Sequence, residues 1–81
     1  MRGGLKVLSG DQVADILGGF GFVVRSNKGS HLKLQRMGVD GTETLIIPDH
    51  SPIARGTLRA IFNQACRYIP RSGLRPHFYN D

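Results

Sequence analysis

The sequence holds a single cysteine, Cys66, so no internal disulfide can form and the reducing cytoplasm is the expected setting. No stretch approaches the roughly 18 apolar residues of a membrane span. Met1–Gly10 lacks the apolar run of an export signal. Carboxylates are scarce: Asp11, Asp15, Asp40, Glu43, Asp49 and Asp81 are scattered, with no close pair. The three histidines, His31, His50 and His77, are equally dispersed, and no Cys/His spacing suits zinc. There is no phosphate-binding glycine loop and no nucleophile elbow. These absences disfavour metal-dependent hydrolysis, and no cofactor is expected.

What the chain has instead is positive charge. Eleven Lys+Arg against six Asp+Glu leave a net +5 on 81 residues, which points to an anionic partner, nucleic acid first. Met1 to Val24 is neutral, Arg25 to Asp40 carries +3, Gly41 to Ala54 carries −2 and Arg55 to Asp81 carries +4. The basic surface therefore comes from the middle and the C-terminal third.

Local patterns predict the elements. Ser9-Gly10-Asp11-Gln12 reads as a capping box, followed by Val13, Ile16, Leu17 and Phe20 on one helical face. Gly18-Gly19 supplies a left-handed stop, giving a helix from about Gly10 to Leu17. Phe20 to Ser26 is rich in aromatic and β-branched residues and reads as a strand, with Asn27-Lys28-Gly29 as a turn. His31 to Met37 alternates: Leu32 and Leu34 point one way, His31, Lys33 and Gln35 the other. A turn at Gly38–Gly41 leads to a third strand, Thr42 to Ile47, which Pro48 ends. Ser51-Pro52 suits a helical turn in the connector. A second helix runs from Arg55 to about Tyr68 with Leu58, Ile61, Phe62, Ala65 and Ile69 on its apolar face, and Pro70 stops it.

Short turns imply an antiparallel meander, and two amphipathic helices need one sheet face to cover. The expected fold is α+β, a two-layer α-β-β-β-α sandwich with a three-stranded antiparallel sheet. Residues 1–69 make one domain. Residues 70–81 are expected to be a frayed or disordered tail.

Two groups of residues carry chemistry. In Lys28-Gly29-Ser30-His31, Gly29 permits a sharp turn and close approach of a phosphate, Lys28 brings a point charge and Ser30 a donor. RNA cleavage by its own 2′-OH needs one proton removed from that hydroxyl and one delivered to the leaving 5′-oxygen, and a histidine serves either step. The plain alternative is a solvated histidine after a turn. In the second helix, Arg55, Arg59, Asn63 and Arg67 recur every four residues as a basic stripe, and Gly56-Thr57 opens a helix N-terminus suited to an anion. The alternative is an ordinary solvated face. Arg25 and Arg36 flank the first hairpin and either extend an RNA path or stand as a solvated pair. Lys33 shares the outward side of His31. His50 and His77 read as inert, and Cys66 as a residue at the core margin.

Leu8-Ser9-Gly10, Phe20-Gly21-Phe22, Lys28-Gly29-Ser30-His31 and Ile47-Pro48 with Gly56-Thr57-Leu58-Arg59-Ala60-Ile61 occur in an order that resembles the HicA toxin family of bacterial HicBA toxin–antitoxin pairs. The resemblance spans about Leu8 to Ile69. It implies a double-stranded-RNA-binding-domain-like fold and mRNA cleavage without a metal or ribosome. It makes His31, the histidine of Gly-Ser-His, the catalytic residue, and a HicB-like antitoxin the protein partner. RNA contacts are then expected from Arg25, Lys28, Gly29, Ser30, Lys33, Arg55, Thr57 and Arg59. The stretch from Pro70 to Asp81 matches no part of the family pattern, and the connector Asp49–Arg55 departs from it. Two rivals share the same features: an RNA-binding module without catalysis, and an interaction protein that works through a protein partner.

Overall fold

The computed structural model describes residues 4–80, so the expected domain's Met1–Gly3 and the expected tail's Asp81 lie outside the described residues. The elements run α1 (Gly10–Gly18), β1 (Val23–Lys28), β2 (His31–Gly38), β3 (Gly41–Pro48), α2 (Arg55–Ala65) and α3 (Arg71–Phe78). The strands form one antiparallel sheet in the order β1-β2-β3. The fold is the expected α+β arrangement with one helix added at the C-terminal end. None of the helices is long and apolar enough to cross a membrane, among the described residues.

α1 starts at the capping box. The Gln12 backbone N–H donates to the Ser9 hydroxyl at 3.1 Å, and the Ser9 N–H donates to Gln12 Oε1 at 2.9 Å. The left-handed glycine is not Gly19, which is right-handed at φ −65°, but Gly21 at φ 98°. The chain therefore takes one more tight turn through Phe20, and β1 begins at Val23 rather than Phe20. Asn27 and Lys28 belong to β1, because the turn that closes the first hairpin is Gly29-Ser30 alone. Ser51-Pro52 forms no helical turn: α2 starts after Ala54, with no side chain capping it.

The sheet buries one face. Leu32 and Leu34 of β2 and Leu45 and Ile47 of β3 are buried among Val13 and Leu17 of α1 and Leu58, Ile61, Phe62 and Ala65 of α2. α2 is shorter than its apolar pattern. After Ala65 the chain tightens into i to i+3 bonds, Arg67 to Gln64 and Tyr68 to Ala65, both 3.0 Å. That turn still buries Ile69 and presents the Tyr68 carbonyl to Arg36.

Arg36 lies on the same side of β2 as Leu32 and Leu34, half-buried. Its Nε donates to Glu43 Oε1 at 2.7 Å, its Nη1 to the Phe20 carbonyl and its Nη2 to the Tyr68 carbonyl, each at 2.8 Å. Its guanidinium also sits 4.8 Å from the centre of the Phe22 ring. One planar fork thus joins β2, β3, the α1–β1 turn and the turn that follows α2. Neither sequence reading of Arg36, as part of an RNA path or as a solvated residue, describes it. Neighbouring Gly38 has no room for a Cβ because the Glu43 carboxylate fills that space.

The expected tail is ordered. Residues Arg71–Phe78 form α3, and Leu74 and Phe78 are both wholly buried. Phe78 packs on Phe62 with ring centres 5.4 Å apart, and His77 meets the Phe20 ring edge-on at 5.6 Å. The N-terminal segment clasps this end: Lys6 N–H donates to the Phe78 carbonyl, and Asn80 N–H to the Gly4 carbonyl, both at 2.8 Å. Burial of two large side chains outweighs the intrinsic weakness of a short helix containing Pro76.

Two stability outcomes follow from this packing. Phe78→Ala is expected to cost about 3–4 kcal/mol in denaturant unfolding, whereas a fraying tail would leave stability within about 0.5 kcal/mol. Arg36→Met should cost about 2–4 kcal/mol, since two carbonyls and a half-buried carboxylate lose their donor. An unchanged midpoint would show that the fork does not hold the elements together.

Candidate functional site

The site is built from the first hairpin outward. Lys28 pairs directly with His31, which leaves Gly29-Ser30 as a two-residue loop. Gly29 has φ 59° while no other residue type among those described has positive φ. A positive then a negative φ is the pattern of a type II′ turn, whose twist matches the strands it joins. The loop is short because Gly29 can take that conformation.

Register then sets which side chains share a face. Alternation sends Lys28, His31 and Pro48 to the side of the sheet away from the helices, as one cross-strand row. The next row on that face is Ser26, Lys33 and Ile46. Directly opposed residues place their Cβ atoms about 5 Å apart, and the next row lies about 7 Å along. Lys28, Ser30, His31 and Lys33 are all exposed. Among the described residues none of these four side chains takes part in an internal hydrogen bond or ion pair. The ring of His31 and two ammonium groups therefore face solvent on a rigid strand end.

This end of the sheet is tied from behind. The Asp49 N–H donates to the Ser30 carbonyl at 2.6 Å, so the connector after β3 runs along the turn. The Gly10 N–H donates to the His50 carbonyl at 2.8 Å, and the Ile53 N–H to the Leu8 carbonyl at 2.9 Å. Gly10 is buried so closely on this connector that a Cβ would run into the Pro48 carbonyl. Leu8-Ser9-Gly10, Ser30-His31 and Ile47-Pro48, far apart in the chain, meet here. Their meeting was not visible in the sequence, where Leu8-Ser9-Gly10 reads only as the start of a helix.

The other candidates fall elsewhere. Arg25 is exposed on edge strand β1 at a register irregularity between Val24 and Ser26. Arg55, Thr57 and Arg59 are exposed on the first turns of α2, whose buried side packs on the core face of the sheet. They thus belong to the helical layer and do not share the open sheet face of His31 and Lys33. His50 is exposed in the connector, and its backbone rather than its ring has an assigned bond. Cys66 is half-buried at the core margin. No three His, Cys, Asp or Glu side chains come together among the described residues. The arginines of α3 escaped notice because their segment read as a tail.

A family model described as the HicA toxin of bacterial toxin–antitoxin systems matches residues 10–65. Neither the curated proteins nor the solved structures gave a match. The matched segment takes in α1, the whole sheet with its Gly-Ser-His turn, and α2, which is the framework that positions His31. The chain belongs to the HicA family of toxins of bacterial toxin–antitoxin systems.

Proposed function

We propose that this toxin cleaves mRNA in the cytoplasm without a metal, with His31 as the catalytic residue. The observation that carries the reading is the cross-strand row on the open sheet face, where His31 stands beside Lys28 and one row from Lys33 on a rigid hairpin. The RNA 2′-oxygen attacks the adjacent phosphorus, the bond from phosphorus to the 5′-oxygen breaks, and two protons move: one off the 2′-hydroxyl, one onto the leaving 5′-oxygen. His31 carries one of these transfers. Lys28 and Lys33 offset the extra negative charge of the five-coordinate phosphorus. Gly29 lets the backbone approach the phosphate, and Ser30 donates to it. Arg25, and Arg55, Thr57 and Arg59 at the uncapped start of α2, hold the RNA backbone further out.

The same face suits an antitoxin of the HicB kind. Ile46, Met37 and Val23 are large exposed apolar side chains on it, flanking the basic residues. A protein partner with an apolar centre and acidic rim would bury them and cover His31 together.

The decisive comparison is RNA integrity with the intact chain and with His31→Ala, in EDTA, after unfolding curves show equal stability. His31 is exposed, so the substitution should shift stability by less than about 0.5 kcal/mol while cleavage falls by at least about 10²-fold. Intact RNA that is bound by both proteins would replace the enzyme reading with that of a binding module. Lys28→Ala should slow cleavage about tenfold, less than the loss of a buried oxyanion donor. An unchanged rate would remove Lys28 from the charge-stabilising role.

A further inference from the structure

From His50 to Asn80 the sequence contains no acidic residue and five arginines: Arg55, Arg59, Arg67, Arg71 and Arg75. The last two lie on α3, beyond the segment matched by the family model. Both are exposed, and both heads are held against aromatic rings. The Arg71 guanidinium lies 5.1 Å from the centre of Phe62 and that of Arg75 4.4 Å from the centre of Tyr79. Those rings touch each other edge to face, with centres 5.1 Å apart. Arg71 and Arg75 are one helical turn apart, so their Cβ atoms are about 5–6 Å from each other. Lys6 adds a third cation, its Nζ donating to the Pro76 carbonyl at 2.9 Å. Among the described residues the only ion pair is Arg36–Glu43, and no described carboxylate engages these three.

We propose that α3 is a second grip on the RNA backbone, in which Arg71 and Arg75, held over the rings of Phe62 and Tyr79, each take a phosphate. The inference rests on the reading of this toxin as one that acts on RNA. Neither guanidinium has an internal hydrogen bond among the described residues, so their N–H groups are open to phosphate oxygens, which they match two at a time. Contact with the rings also removes part of the rotamer freedom that an arginine otherwise loses on binding. The chemistry favours RNA over a protein on this surface. Among the described residues the large exposed apolar side chains are Val7, Val23, Val24, Met37, Val39 and Ile46, and none lies on α2 or α3. A protein interface needs apolar anchors at its centre, whereas a polyanion needs charge without competing carboxylates. The open sheet face has anchors; α2 and α3 have cations.

The test uses the full chain carrying His31→Ala, so that RNA stays intact, with and without the pair Arg71→Gln and Arg75→Gln. Binding of a labelled single-stranded RNA is followed over a salt series. The Gln pair is expected to raise Kd about tenfold or more at low salt. The slope of log K against log salt should become shallower by about 0.7 for each arginine removed, the single-strand value. The pair Arg71→Lys and Arg75→Lys should keep most of the slope. Independently of any α3 variant, RNA should protect Arg71 and Arg75 from an arginine-specific dicarbonyl reagent in the His31→Ala chain. Unchanged Kd and slope, or equal modification with and without RNA, would overturn the proposal and confine RNA contact to the hairpin and α2. Loss of antitoxin binding with RNA affinity intact would also overturn it, assigning the patch to an acidic protein. If the His31→Ala chain binds no RNA at all, the RNA reading itself fails and α3 falls with it. RNA that binds with the hairpin protected and α3 unprotected would sink only the second grip.

Discussion

The pleat of β2 constrains everything else. Its inward row, Leu32, Leu34 and Arg36, meets the helices, and its outward row begins with His31 and Lys33. Two short turns hold that alternation in register, one pairing Lys28 with His31 and the other Gly38 with Gly41. A slip of one residue would bury the histidine and the lysine and turn two leucines to solvent. The cost of that exchange, several kcal/mol of lost burial and buried charge, keeps the row of His31 and Lys33 outside. The placement of the proposed catalytic row is thus a by-product of hydrophobic register. The Arg36 fork closes the far end of the same inward row. Where the leucines stop, a polar group continues the packing by satisfying two carbonyls and one carboxylate.

The features readable from the sequence are those set by near neighbours. The capping box at Ser9 and Gln12 forms as its spacing predicts, and the alternation of β2 places His31 outward as expected. Arg36 was equally readable, because its parity matches the leucines, but arginine suggests solvent unless its partners are known. Those partners, Phe20, Glu43 and Tyr68, come from three different places in the chain. α3 was hidden for a different reason. Two apolar residues in eight, with a glycine and a proline among them, make too little periodicity to read. Its order comes from the fit of Leu74 and Phe78 into a core built by other elements. The site divides in the same way. The Gly-Ser-His hairpin is a local motif, whereas the closeness of Gly10 to Pro48 that backs it exists only in the folded chain.

The molecule separates its surfaces by chemistry. The open sheet face combines a histidine, two lysines and exposed apolar residues, which suits both a reaction and a protein that stops it. α2 and α3 offer arginines without a carboxylate of their own and carry no large exposed apolar group. On the proposed reading an antitoxin that covers the sheet would block cleavage while leaving part of the RNA-gripping surface open. Inhibition would then be occlusion of His31 rather than competition along the whole RNA path.

The most direct test of the central claim is the chemistry of the cut ends. The intact chain is incubated with a defined RNA in EDTA and the fragments are weighed by mass spectrometry. Attack by the 2′-oxygen, with His31 moving a proton, predicts fragments ending in a 2′,3′-cyclic phosphate and beginning with a 5′-hydroxyl. Fragments with 3′-hydroxyl and 5′-phosphate ends require water as the nucleophile and would contradict the account.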